Sequence, residues 1–158
     1  MHYLFNLSLF FMLFSSINVY SQTIVGQWYT ENDTAIVKIY SCAEKLCGDL
    51  IWLKQPFWTE KEVNTFSGIK VGEVKTDIHN PDKSLRKRSI VGIQLLNNLS
   101  KQKNKWADGT IYDAESGNTY SCTVELVENG DKLKLTGYIG ISWFGKTTYW
   151  SKTQNNME

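Results

Sequence analysis

Alternation with a period of two, running from Gly26 to Lys152, predicts an all-β protein: a small eight-stranded antiparallel up-and-down barrel. Three observations carry this. Residues 120–126 read Tyr, Ser, Cys, Thr, Val, Glu, Leu, and residues 132–138 repeat the rhythm, apolar side chains facing one way and polar ones the other. Gly26-Gln27-Trp28 opens the alternating region and Trp150-Ser151-Lys152 closes it, so the first and last strands bring indoles and a cation to one end. The chain also holds only two Pro and no long amphipathic helix, which leaves strands as the material of the core. Closure removes the edges that an open sheet would expose; a sandwich is the alternative.

Ahead of the first strand, residues 3–14 form an apolar run of about a dozen residues, too short for the ~20 that a spanning helix needs. Small polar residues follow, and Val19-Tyr20-Ser21 fits the positions read by a signal peptidase. The expectation is a signal peptide over residues 1–21, cut near Ser21/Gln22. No Cys follows at a lipid-attachment distance. Residues 22–158 then form a single exported domain, periplasmic or secreted, with no membrane span and enough length to bury its own core. The 17 basic and 16 acidic residues nearly balance, which argues against nucleic acid as a partner, since phosphate binding needs a strongly basic face.

The strands fit residues 26–31, 34–42, 46–54, 88–96, 105–113, 117–127, 131–139 and 144–152. Glu31-Asn32-Asp33, Asp113 to Gly117 and Glu128-Asn129-Gly130-Asp131 supply turns, the last through an Asn-Gly pair that accepts positive φ. Lys101-Gln102-Lys103-Asn104-Lys105 reads as a solvated loop, and Asn32 and Asn98 head glycosylation sequons of use only to a host that glycosylates. At the ends of the barrel, Trp28 and Trp150 pack the base and Lys152 can lie over an indole face. Cys42 and Cys47 flank a hairpin turn, close enough for a disulfide in an oxidising compartment. Cys122 shares an apolar face with Tyr120, Val124 and Leu126 and reads as a buried, inert thiol.

Residues 55–87 break the rhythm and are too long for a hairpin loop, a length that is usually functional or internally ordered. Asp77-Ile78-His79-Asn80-Pro81-Asp82 reads as an Asx or proline turn, Leu85 as an apolar anchor, and Arg86 and Arg88 as same-side neighbours if the chain is extended. Two readings coexist here. Asp77 and Asn80 can pin the loop, and Arg86 or Arg88 can reach the barrel mouth to hold a carboxylate or phosphate through the guanidinium fork.

The ordered set Gly26-x-Trp28, Cys42, Leu46-Cys47-Gly48, Ile51-Trp52-Leu53, Asp77-x-x-Asn80-Pro81-Asp82, Leu85-Arg86-x-Arg88, Gly92, Gly109-x-Ile111-Tyr112-Asp113, Gly117-x-x-Tyr120, Leu133, Gly137-Tyr138-Ile139-Gly140, Phe144-Gly145-x-Thr147 and Trp150 spans nearly the whole mature chain. In these residues it resembles the bacterial exported family called domain of unknown function 2147. The resemblance implies a calycin or lipocalin-like barrel and supplies no substrate. Ala114 stands where the family pattern has Pro, and Lys152 where it tends to end in Arg; Cys122 is an addition to it.

Catalytic sets are thin. His79 is the sole His of the mature chain, no Gly-x-Ser-x-Gly occurs, and Gly137-x-x-Gly140 lies at a strand end rather than before a helix. Asp113 with Glu115 is the nearest acidic pair. The reading is therefore a non-enzyme with no cofactor and no metal. Aromatics make up 13% of the chain, more than a small core requires and suited to a lined cavity. The expected function is binding of a small amphipathic ligand with an anionic group. Trp52, Trp106, Tyr112, Tyr120 and Trp143 would form the wall, and Asp77, Asn80, Arg86, Arg88 and Asp113 the polar rim. The alternative is an envelope protein–protein interaction or inhibitor module that uses the Gly140–Gly145 loop as a plug, with Trp143 and Phe144 at its tip.

Overall fold

The computed structural model describes residues 23–64, 66, 68–140 and 145–154. Eight strands follow in order: β1 Gly26–Tyr29, β2 Ala35–Cys42, β3 Lys45–Leu53, β4 Gln94–Gln102, β5 Lys105–Asp113, β6 Asn118–Val127, β7 Lys132–Tyr138 and β8 Gly145–Lys152. Each pairs antiparallel with the next, and β8 returns to β1 through Trp28↔Lys152 and Tyr29↔Ser151. The meander is closed, so every strand is paired on both sides.

The alternation that predicts the fold survives best in β6 and β7, whose pairing runs without a slip from Ser121↔Tyr138 to Val127↔Lys132. Cys122, Val124, Leu133 and Leu135 face inward there. Together with Trp28, Val37, Ile39, Leu96, Leu99 and Trp150 they pack one contiguous core through the barrel. Large side chains meet across the interior, so most of it is filled by the protein itself.

One strand was misplaced by sequence. Residues 88–96 were expected as the fourth strand, and the strand is Gln94–Gln102 instead. Leu96 and Leu99 both enter the core although they are three residues apart, because Asn98 takes φ 58° and bulges between them. Asp108 does the same in β5 at φ 59°. The two bulges lie level, so β4 and β5 keep one continuous register while β5 slips against β6 between Trp106 and Gly109. Gly109 is required there: a Cβ would sit 2.5 Å from the Asn97 carbonyl oxygen. Lys101, Gln102 and Lys105 consequently belong to strands, and only Lys103-Asn104 turns.

The base of the barrel is the end where β1 begins. Ile24 is fully buried beneath it, and its carbonyl accepts the Trp28 indole N–H at 2.8 Å. Trp28 and Trp150 are buried. Lys152 is not stacked: the cation–ring contacts among the described residues are Lys75 with Trp58 and Lys101 with Trp106. Cys42 and Cys47 are bridged with Cα atoms 5.8 Å apart, across a two-residue turn at Ala43-Glu44. Burial pushes the free Cys122 thiol up to about 12.

At the opposite end, the mouth, residues 54–93 cross from β3 to β4. Two isolated antiparallel bridges, Phe57↔Val74 and Thr76↔Ser89, tie this crossover to itself. A four-residue helix, α1 (Glu60–Val63), is started by a capping box between Thr59 and Glu62. Glu62 also takes Lys75 Nζ at 2.6 Å, and that bond with those from Thr59 holds its carboxyl down at about 2.

Candidate functional site

Asp77 is the centre of the crossover. It is fully buried, and a buried carboxylate needs its lone pairs filled. Tyr112 donates its hydroxyl to Oδ1 at 2.5 Å. Oδ2 accepts from Asn80 Nδ2 at 2.7 Å and from Arg88 through Nε at 3.1 Å and Nη2 at 2.8 Å. Burial works to raise the Asp77 carboxyl, and the bonds from Tyr112, Asn80 and Arg88 outweigh it, holding the group ionised below its ordinary range. Burial and then the bond to Asp77 push the Tyr112 hydroxyl up to about 12.

Asn80 extends the cluster in two directions. Its Oδ1 accepts the Asp82 backbone N–H at 2.9 Å, closing the turn expected at this position, and Asp82 in turn accepts from Ser84. Its backbone carbonyl accepts Arg86 Nε at 2.7 Å. Both arginines are therefore tethered through Nε to one Asp77–Asn80 turn. Nη1 and Nη2 of Arg86 and Nη1 of Arg88 have no partner among the described residues. The Arg88 side chain is 40% exposed. The tethering does not come from an extended chain, as was expected. Lys83–Leu85 is a single 3-10 turn, and the Arg88 N–H closes back on the Leu85 carbonyl. Leu85 is exposed and anchors nothing in the core.

The turn is seated on the barrel by Gly117, in the turn between β5 and β6. Gly117 has φ 73°, and a Cβ there would lie 2.0 Å from the His79 carbonyl oxygen. Asp113 shapes the same turn, accepting from Glu115 N and Ser116 Oγ.

The other expected wall residues scatter. Trp52 lies on the outer surface, 36% exposed and edge-on to Tyr29 at 6.3 Å, because a slip between Ile36 and Val37 turns the end of β3 outward. Tyr120 shares the inward face of β6 with Cys122 and is half-buried. Trp106 is buried at the base, six residues from Tyr112 along β5 and so about 20 Å away. It cannot share a small site with the arginines. Residues 141–144 of the expected plug, Trp143 and Phe144 among them, and residues 1–22 lie outside the described residues. Sequence reasoning passed over Phe57 and Val74, which are paired and exposed on the crossover and carry no periodic signal.

The family model described as "Uncharacterized protein conserved in bacteria (DUF2147)" matches residues 26–152. The chain belongs to this family. Among solved structures it is similar to protein HP1028 from the human pathogen Helicobacter pylori, described as belonging to the lipocalin family. Identity is 25%, the match covers 85% of this chain and 86% of that one, and the TM-score is 0.66. No curated protein matches the chain. This DUF2147 protein thus has a lipocalin-like barrel, an architecture with just enough interior to hold one small ligand or be filled by side chains. Among the described residues, no helix is long and apolar enough to cross a membrane.

Proposed function

We propose that this protein is exported to the periplasm or beyond and binds a small amphipathic molecule through its anionic group, without catalysing a reaction. The apolar leader at residues 3–14 and the Cys42–Cys47 bridge support export. The observation that carries the binding reading is the shared tether of Arg86 and Arg88. Each guanidinium is fixed from behind by the Asp77–Asn80 turn, so its remaining N–H groups are ordered before any ligand arrives. Such preorganisation lowers the entropy cost of engaging a carboxylate or phosphate.

The packed core leaves the ligand's apolar part to the crossover rather than the barrel axis. Ser89 follows Arg88 and pairs with Thr76, two residues from the exposed Val74, which pairs with Phe57. Strand geometry then sets Val74 within roughly 10 Å of the Arg88 backbone. A short acyl or aryl group can rest on Phe57 and Val74 while its head meets the arginines.

Native mass spectrometry of the protein taken from its own envelope tests this, with decanoate and decanol as defined probes. Decanoate should bind, decanol should bind weakly, and Arg86→Ala should abolish the difference while the barrel stays folded. Equal binding of both probes, or decanoate binding untouched by Arg86→Ala, would overturn the reading. The interaction-module alternative draws on Ile139, 74% exposed just before the Gly140–Gly145 loop. A clean apo mass with a co-purifying protein would favour it.

A further inference from the structure

Charge is unevenly placed along this nearly neutral chain. Residues 54–93 hold eight of its 17 basic residues and five of its 16 acidic ones, so the crossover is net positive by three and the rest net negative by two. Lys75 and Arg88 are paired, with Glu62 and Asp77. Lys54, Lys61, Lys70, Lys83, Arg86 and Lys87 have no acidic partner among the described residues.

Apolar side chains stand among these cations on one outward face. The Phe57↔Val74 bridge is flanked by two bonds of 2.8 Å, Trp58 N–H to the Glu73 carbonyl and Lys75 N–H to the Pro56 carbonyl. It is thus a close, non-hydrogen-bonded pair whose side chains point the same way. Alternation gives Thr76 and its partner Ser89 that same face. The intervening residues turn to the protein: Trp58 and Asp77 are buried, and Lys75 lies over the Trp58 ring. Phe57 and Val74 are 47% and 48% exposed. Lys54 stands three residues before Phe57, and Lys87 two before Ser89, both exposed. The exposed Leu85 lies between Lys83 and Lys87 in the adjoining turn.

Unpaired cations alone would suit any anion. An apolar pair in their midst suits a surface that is anionic outside and apolar beneath. We propose that this face of the crossover docks on an anionic phospholipid bilayer, Phe57 and Val74 at the acyl boundary and Lys83, Arg86 and Lys87 among the headgroups. The net negative remainder of the chain turns the crossover toward the membrane. Docking goes beyond the small-molecule reading and does not rest on it.

Co-sedimentation of the full mature chain with phosphatidylglycerol–phosphatidylcholine vesicles tests this. The protein should sediment with them at low salt, far less at about 500 mM salt, and little with pure phosphatidylcholine. Each cation near the surface contributes about fivefold, so Lys83→Gln with Lys87→Gln should weaken binding at least tenfold and leave decanoate binding intact. Phe57→Ser, at an exposed position, should weaken vesicle binding about tenfold. A gadolinium chelate on the lipid should broaden the amide resonances of residues 57, 74 and 83–89 and spare β6 and β7. Equal binding to neutral vesicles, or broadening centred elsewhere, would overturn docking at this face. Soluble polyphosphate held as tightly as vesicles, with Phe57→Ser without effect, would assign the cations to a soluble polyanion and also overturn it. Decanoate binding without vesicle binding sinks the docking alone, and the reverse sinks the small-molecule reading alone.

Discussion

Tyr112 donates its hydroxyl to Asp77 across 2.5 Å, tying strand β5 to a turn that lies 35 residues earlier in the chain. Through this contact a long connection becomes part of the barrel. The carboxylate is fully buried, and Tyr112 is the sole partner of its Oδ1 among the described residues. The same carboxylate holds Asn80 and Arg88, so the contact orders the arginine cluster as well as the chain.

Tyr112→Phe keeps the ring and removes this donor. An orphaned buried acceptor costs about 1–3 kcal/mol, and the loss should appear as a lower urea midpoint. Hydrogen exchange should quicken across residues 73–90 while β6 and β7 stay protected. Unchanged exchange in the crossover would show that the contact does not hold it.

Alkali should loosen the same contact. Tyr112 holds its proton more tightly folded, at about 12, than at its ordinary 10.0. A raised value contributes stability fully below the unfolded one and loses it as pH climbs through the folded one. Wild-type stability should therefore fall between pH 10 and about pH 12, and Tyr112→Phe should fall less steeply. Cys122 acts with the same sign from pH 9 to about pH 12, across the whole of this window, so the variant flattens the fall without abolishing it. Urea midpoints at pH 9 and pH 11 measure both slopes; identical slopes would refute the assignment.

Gly117→Ala should unseat the turn. The new methyl meets the His79 carbonyl oxygen, and φ 73° is itself costly for a residue with a Cβ. We expect a loss of about 2 kcal/mol or more, with the Asp77 and Asn80 amides exchanging faster than in the wild type. A neutral variant would mean that the crossover shifts freely over the β5–β6 turn.

The closed meander was legible because β6 and β7 alternate without interruption and the Asn129-Gly130 turn between them needs positive φ. The fourth strand was not. Its two inward leucines are three residues apart, and no period-two reading finds an Asn at φ 58° between them. The disulfide followed from local spacing around one turn. The site was half visible: the Asp77–Asn80 turn and its arginines lie within a dozen residues and announce themselves by type. Tyr112 was named only as wall, because its bond to Asp77 depends on tertiary placement of a segment with no period. Trp52 and Trp106 were grouped by residue type, and strand geometry sends one outside and the other to the base.

The level bulges at Asn98 and Asp108 make the hairpin from Gln94 to Asp113 a self-consistent cassette. Its two strands agree with each other, while β4 slips twice against β3 and β5 slips once against β6. Chimeras with related barrels should therefore be spliced outside it, in the connections near Ile93 and Ala114. A junction inside either strand would import one bulge without the other and turn every later side chain of that strand to the wrong face.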